Sequence, residues 1–227
     1  PVVLENLFRM APYNFDIEKR PGLRIVEDDA IHFVKTTDET YSLIINTVTT
    51  PLYFSSSKLY TRDFLTHVSR RLAPDGIYMT WMDSRVGDRG ADIILSTVTS
   101  VFRDCWMGAA KGTYFLLIGS NQAIRLRRPR RIAENGTLRK YFLDTGFPPE
   151  WVPYSLVTTR VRDLARESPA PLNSLDYPAL EFAISRIADP RFSAFTRRLG
   201  RAMTLADIER ALAPMPDRNA LDLALYA

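Results

Sequence analysis

Apolar positions in the first half of the chain follow two alternating periods. Leu23-Arg-Ile-Val26 is a short apolar run closed by Glu27-Asp28-Asp29, and Ala30-Ile-His-Phe-Val34 after it has helical spacing. Tyr41-Ser-Leu-Ile-Ile45 is a second run, ended by Asn46-Thr47-Val48-Thr49-Thr50-Pro51. Thr61 predicts the N-cap of a helix reaching about Leu72, with Asp63 at its positive dipole end. Pro74-Asp75-Gly76 stops that helix and leads into a third strand, Ile77-Tyr-Met-Thr-Trp81. Ile94, Val98, Val101 and Phe102 share one face of a helix predicted over 91–102. Asp104-Cys-Trp-Met107 and Thr113-Tyr-Phe-Leu-Leu-Ile118 then predict an antiparallel hairpin at the sheet edge. Strands that alternate with helices and are almost continuously apolar predict an α/β layer fold built on a parallel sheet.

Further along, the texture changes. Segments near 133–144, 157–167, 178–188, 190–199, 204–213 and 217–226 predict short helices separated by proline or glycine. The expected organisation is an α/β domain over 1–124, an arginine-rich linker over 125–132 and a helical C-terminal region over 133–227.

Composition narrows the class. Of 227 residues, 46% are hydrophobic and 25% charged, which excludes a disordered or low-complexity chain. No apolar stretch reaches membrane-spanning length. One cysteine, Cys105, excludes an internal disulfide framework and a Cys-rich zinc module, and with only two histidines no metal site is expected. The opening Pro1-Val-Val-Leu-Glu-Asn6 has no methionine, basic n-region or signal core, and reads as a fragment boundary. Net charge is +4, and the excess lies in the C-terminal half, densest in Arg125-Leu-Arg-Arg-Pro-Arg-Arg131. Such a run suits phosphates or an anionic membrane surface; its plainer reading is a solvated linker. No aromatic residue interleaves the arginines, which argues against nucleic acid as a partner.

In open parallel sheets, ligands bind beyond the carboxyl ends of the strands. Asp28 and Asp29 follow the first run, where an acid can accept hydrogen bonds from a base or sugar edge. Their plainer role is to cap the helix over 30–35, and one residue can do both. The stretch from Asn46 to Thr50 offers an amide and hydroxyls but no general base near neutral pH. His32 and His67 read as ordinary surface or core histidines, and Cys105 as a packed thiol beside Trp106. Gly87-Asp-Arg-Gly90 lacks the lysine of a phosphate loop, and no glycine-rich loop follows any strand.

Arg24-Ile-Val-Glu-Asp-Asp-Ala30, Tyr41-Ser-Leu-Ile-Ile-Asn46, Leu59-Tyr-Thr-Arg-Asp-Phe64 and Arg70-Arg-Leu-Ala-Pro-Asp-Gly76 occur in order. Thr97-Val-Thr-Ser-Val-Phe102, Leu116-Leu-Ile-Gly119 and Pro171-Leu-Asn-Ser-Leu-Asp-Tyr-Pro-Ala-Leu-Glu-Phe182 continue the series. Together they resemble the spermidine/spermine synthase (aminopropyltransferase) family, in its bacterial branch. The resemblance implies a class I methyltransferase-like, Rossmann-like fold with a helical C-terminal annex, and a dimer active in polyamine biosynthesis. It implies transfer of an aminopropyl group from decarboxylated S-adenosylmethionine, as cosubstrate, to a diamine, with no further cofactor.

By resemblance, Asp28, Asp29, Ala30 and Asn46 form the nucleoside-binding set, with Asp29 where the family's acid meets the adenine amino group. Aligned on Pro51, Thr47 stands where the family's catalytic acid helps deprotonate the amine, and Thr50 where a second acid contacts the polyamine. Asp176 remains of the later acidic pair, Ser174-Leu175 replacing its first acid. The family's glycine-rich loop and ribose-binding acid lie upstream of the position matched by Pro1, so the sheet is expected to lack its first two strands. A cytoplasmic location follows, and membrane attachment through a missing N-terminal segment is left open. Three readings remain: a working aminopropyltransferase, a degenerate non-catalytic interaction or regulatory domain, and an S-adenosylmethionine-dependent transferase with a neutral acceptor.

Overall fold

The fold is given by a computed structural model that describes residues 6–10, 16–47, 51, 56–109, 114–124, 134–144, 157–185 and 193–202. The expected helices over 204–213 and 217–226, the run Arg125 to Arg131 and Thr50 lie outside the described residues. The chain divides into two units, Pro1–Thr37 and Asp38–Ala227.

In the first unit, a 3-10 turn at Ile17–Lys19 precedes helix α1, Ala30–Thr36. The strand expected from Leu23-Arg-Ile-Val26 is not formed. A strand needs a ladder partner for its backbone groups, and no described segment pairs with this one. Leu23, Ile25 and Val26 are therefore 43%, 49% and 44% exposed. No described residue of this unit is buried.

The second unit holds the sheet. Its strands are β1 Tyr41–Ile45, β2 Leu72–Asp83, β3 Asp104–Ala109, β4 Tyr114–Ser120 and β5 Val157–Arg160, in the spatial order β1-β2-β4-β3-β5. Its helices are α2 Arg62–Arg71, α3 Gly87–Val101, α4 Gly136–Asp144, α5 Val161–Glu167, α6 Ala179–Ser185 and α7 Ser193–Ala202. The α/β class is as expected, but the sheet is mixed: only β1 and β2 run parallel, and the other three pairings are antiparallel. The predicted hairpin forms from β3 and β4, yet it is not the edge, because β5 pairs outside β3. Val157–Arg160 opens a segment read from sequence as wholly helical.

Local chemistry explains the boundaries. Thr61 caps α2 as predicted, its Oγ1 accepting from the Phe64 amide at 3.2 Å, and Arg70 and Arg71 sit at the negative end. Pro74-Asp75-Gly76 does not precede β2 but lies within it, where the register against β1 jumps between Tyr41 and Leu43. Gly76 suits that irregularity, since a Cβ there would lie 2.8 Å from the Tyr41 carbonyl oxygen.

The core gathers around α3, whose Ile93, Ile94, Leu95 and Val98 are at most 2% exposed. Burying each such side chain contributes about 1.5–3 kcal/mol. The helix packs against α2, α5, α6 and α7. Two of its carboxylates hold α7: Asp88 accepts from the Ala194 and Phe195 amides, and Asp92 pairs with Arg198. The Ser168 hydroxyl donates to the second Asp92 oxygen at 2.6 Å.

Candidate functional site

The candidate residues fall into the two units, and each set is built by its own local structure. In the first unit, Asp29 is the N-cap of α1. Its Oδ1 accepts the amides of Ile31 at 2.9 Å and His32 at 3.0 Å. Both capping bonds fall on that one oxygen, so capping is compatible with ligand contact through Oδ2. Ala30 is the first residue of the helix. Asp28, one residue earlier, accepts from the Asp29 amide and pairs with His32 Nδ1 at 2.9 Å. The His32 hydrogen bond holds the Asp28 carboxyl below its ordinary value, against an opposing effect of burial and with a smaller contribution from that amide. This pairing was missed from sequence, although the spacing of four residues across a helix start was its signal.

In the second unit, β1 ends at Ile45, paired with Met79, and the parallel strand β2 runs on to Asp83. Asn46 continues β1: its amide donates to the Met79 carbonyl at 2.8 Å and its Nδ2 to the Tyr78 hydroxyl at 3.3 Å. It is buried, so its side chain serves the sheet itself. Burial pushes the Tyr78 hydroxyl up to about 12, which keeps it a neutral acceptor for Asn46. Thr47 follows, exposed.

At the end of β2, Asp83 is 1% exposed and caps the 3-10 turn Ser84–Val86. It accepts from the Arg85 amide at 2.8 Å and Nε at 2.7 Å, and also from Nη2. A buried carboxylate is stable only when paired, and here the pairing is complete enough to occupy both oxygens. Asp83 was not singled out from sequence.

The stretch Pro171-Leu-Asn-Ser-Leu-Asp-Tyr-Pro-Ala-Leu-Glu-Phe182 is organised by a residue the sequence reading passed over. Asn173 is fully buried; its backbone amide donates to Thr97 Oγ1 of α3 at 2.9 Å and its Nδ2 donates to the Ser57 carbonyl. Its Oδ1 accepts from the Leu180 amide and its carbonyl from the Arg62 amide at 2.7 Å. One side chain and its backbone thus tie α2, α3 and α6 together. Asp176 stands exposed in the turn from Ser174 to Tyr177.

Cys105 is buried in β3, and burial pushes its thiol up to about 12, far from a thiolate nucleophile. Among the described residues, no three His, Cys, Asp or Glu side chains gather as a metal site requires. Nor is any described helix long and apolar enough to cross a membrane.

Residues 6–90 match the spermine/spermidine synthase domain. The matched segment includes Asp28, Asp29, Ala30, Asn46 and Thr47 and stops short of Asp176. No curated protein matches the chain. Among solved structures, a probable spermidine synthase from Corynebacterium glutamicum is similar, at 22% identity and a TM-score of 0.49. The match covers 75% of this chain and 61% of that one.

Proposed function

We propose that this chain is a spermidine-synthase-like aminopropyltransferase domain that keeps the nucleoside-binding corner of its family and has lost transfer to a diamine. In the family's reaction, a neutral amine nitrogen attacks the carbon beside the sulfonium of decarboxylated S-adenosylmethionine. The C–S bond breaks, a thioether nucleoside leaves, and the amine proton passes to a carboxylate. The observation that supports our reading is Thr47, exposed just beyond the end of β1, which the resemblance aligns with that carboxylate. A threonine neither attracts a cationic diamine nor accepts its proton, and losing a general base lowers a rate by about 10²–10⁴-fold. Asp83, on the neighbouring strand end, does not replace it, because Arg85 occupies and neutralises it.

Asp28, Asp29 and Ala30 make the nucleoside half of the proposal, and Thr50 and Asp176 the remnant of the polyamine half. Homodimerisation and a cytoplasmic location belong to the same proposal. A second reading, transfer to a neutral acceptor, is favoured by the same Asp83–Arg85 pair, which leaves the strand end without net charge.

Calorimetric titration with decarboxylated S-adenosylmethionine, using S-adenosylmethionine as comparator, tests the nucleoside half. Saturable binding of the decarboxylated form, weakened by Asp29→Ala, is expected. A folded sample that takes up neither compound would overturn it.

A further inference from the structure

Helix α4, Gly136–Asp144, differs from the other helices of its unit. The helices α2, α3, α5, α6 and α7 each bury at least two side chains, whereas none of α4 is buried. Asn135 caps it, its Oδ1 accepting from the Thr137 and Leu138 amides at 3.1 and 3.0 Å. A helix of nine residues is marginal in water without a surface to cover it. Leu138, Tyr141 and Phe142 fall at i, i+3 and i+4 and so share one face; Leu138 is 43% and Tyr141 55% exposed. Arg139 and Asp144 flank that face, and Lys140 lies opposite it together with Leu143, which is 51% exposed.

Charge indicates what covers that face. Residues 125–144 carry seven Arg or Lys against Glu134 and Asp144, a net +5 where the entire chain carries +4. The basic excess of the protein is thus concentrated, along the sequence, in and just before one helix that buries none of its side chains. We propose that α4 is a peripheral docking helix for an anionic lipid bilayer, its Leu138–Tyr141–Phe142 face seated at the headgroup boundary. The basic residues around it supply the attraction. An apolar face alone or a basic stretch alone gives weak association, and the two together give stable but reversible attachment. Tyrosine suits the interface, since its ring is apolar and its hydroxyl remains hydrated.

Cosedimentation of the full 227-residue chain with vesicles of phosphatidylcholine alone, or with about one-third phosphatidylglycerol, tests this. Binding to the anionic vesicles is expected to be at least about tenfold tighter and to weaken steeply with salt. The double variant Leu138→Ser, Tyr141→Ser should lose at least about tenfold in binding with its melting temperature unchanged, since both residues are exposed. Replacing the five arginines of 125–131 by glutamine should abolish the preference for anionic vesicles. No binding to either vesicle, or binding that ignores the Leu138 and Tyr141 substitutions, overturns the proposal. So does binding to a nucleic-acid duplex that exceeds vesicle binding at equal salt.

Discussion

The two units of this chain place their candidate residues on very different foundations. In Asp38–Ala227, the strand ends carrying Asn46, Thr47 and Asp83 belong to a sheet joined to buried α3 and to buried polar ties through Asp92 and Asn173. In Pro1–Thr37, Asp28 and Asp29 stand at the start of a seven-residue helix that buries nothing. Long-range burial fixes the first set; local hydrogen bonds alone fix the second. The residues of the second unit are thus held by a packed sheet, whereas the geometry of Asp28 and Asp29 depends on one cap and one hydrogen-bonded Asp28–His32 pair.

The sharpest way to break this comparison is at α3. Asp92→Ala leaves Arg198, whose side chain is 11% exposed, without its partner. We expect a loss of about 3–5 kcal/mol in denaturant unfolding. Asn173→Ala comes next: it strands the Leu180 amide and the Ser57 carbonyl in the interior. At about 1–3 kcal/mol for each unsatisfied group, the loss should reach about 3 kcal/mol, with the tie between α2 and α6 opening first in hydrogen exchange.

Asp29→Ala should have a smaller and purely local effect. Losing the cap costs α1 about 1 kcal/mol, seen as faster exchange of the Ile31 and His32 amides, with no shift in the unfolding of the sheet. A global loss as large as that of Asp92→Ala would erase the distinction between the units.

The smallest effect concerns acid. Because the folded Asp28 carboxyl is lowered by His32, its contribution is fully present above its ordinary value of 3.8 and disappears as pH falls through the depressed value. His32→Ala should return the Asp28 titration, followed by carboxyl-carbon NMR, toward 3.8. The acid-linked loss of stability below 3.8 should flatten accordingly, because folded and unfolded Asp28 then titrate nearly alike.

What was legible in the sequence was whatever local chemistry determines. Thr61, Asp63 and the following apolar spacing identify α2 to within one residue, and the run Tyr41 to Ile45 is β1 as read. The chemistry of the Asp29 cap was legible for the same reason. The failures have a common origin in partners distant along the chain. Leu23 to Val26 has the composition of a strand but no described neighbour to pair with. Val157–Arg160 is strand because β3 offers it an open edge, although Val-Thr-Thr-Arg runs straight into a helix. Asn173 looked like a minor part of a motif, and its importance lies in residues 76 and 116 positions away. Of the candidate residues, Thr47 was singled out only through the resemblance, whereas the neutralised Asp83 depended on a turn that sequence does not display.

The most direct test of the account is aminopropyl transfer itself. Folded chain is incubated with decarboxylated S-adenosylmethionine and putrescine, and spermidine is followed by mass spectrometry. The account predicts no spermidine above the enzyme-free rate. Putrescine-dependent formation of spermidine, abolished by Asp29→Ala, would contradict it and make Thr47 compatible with catalysis.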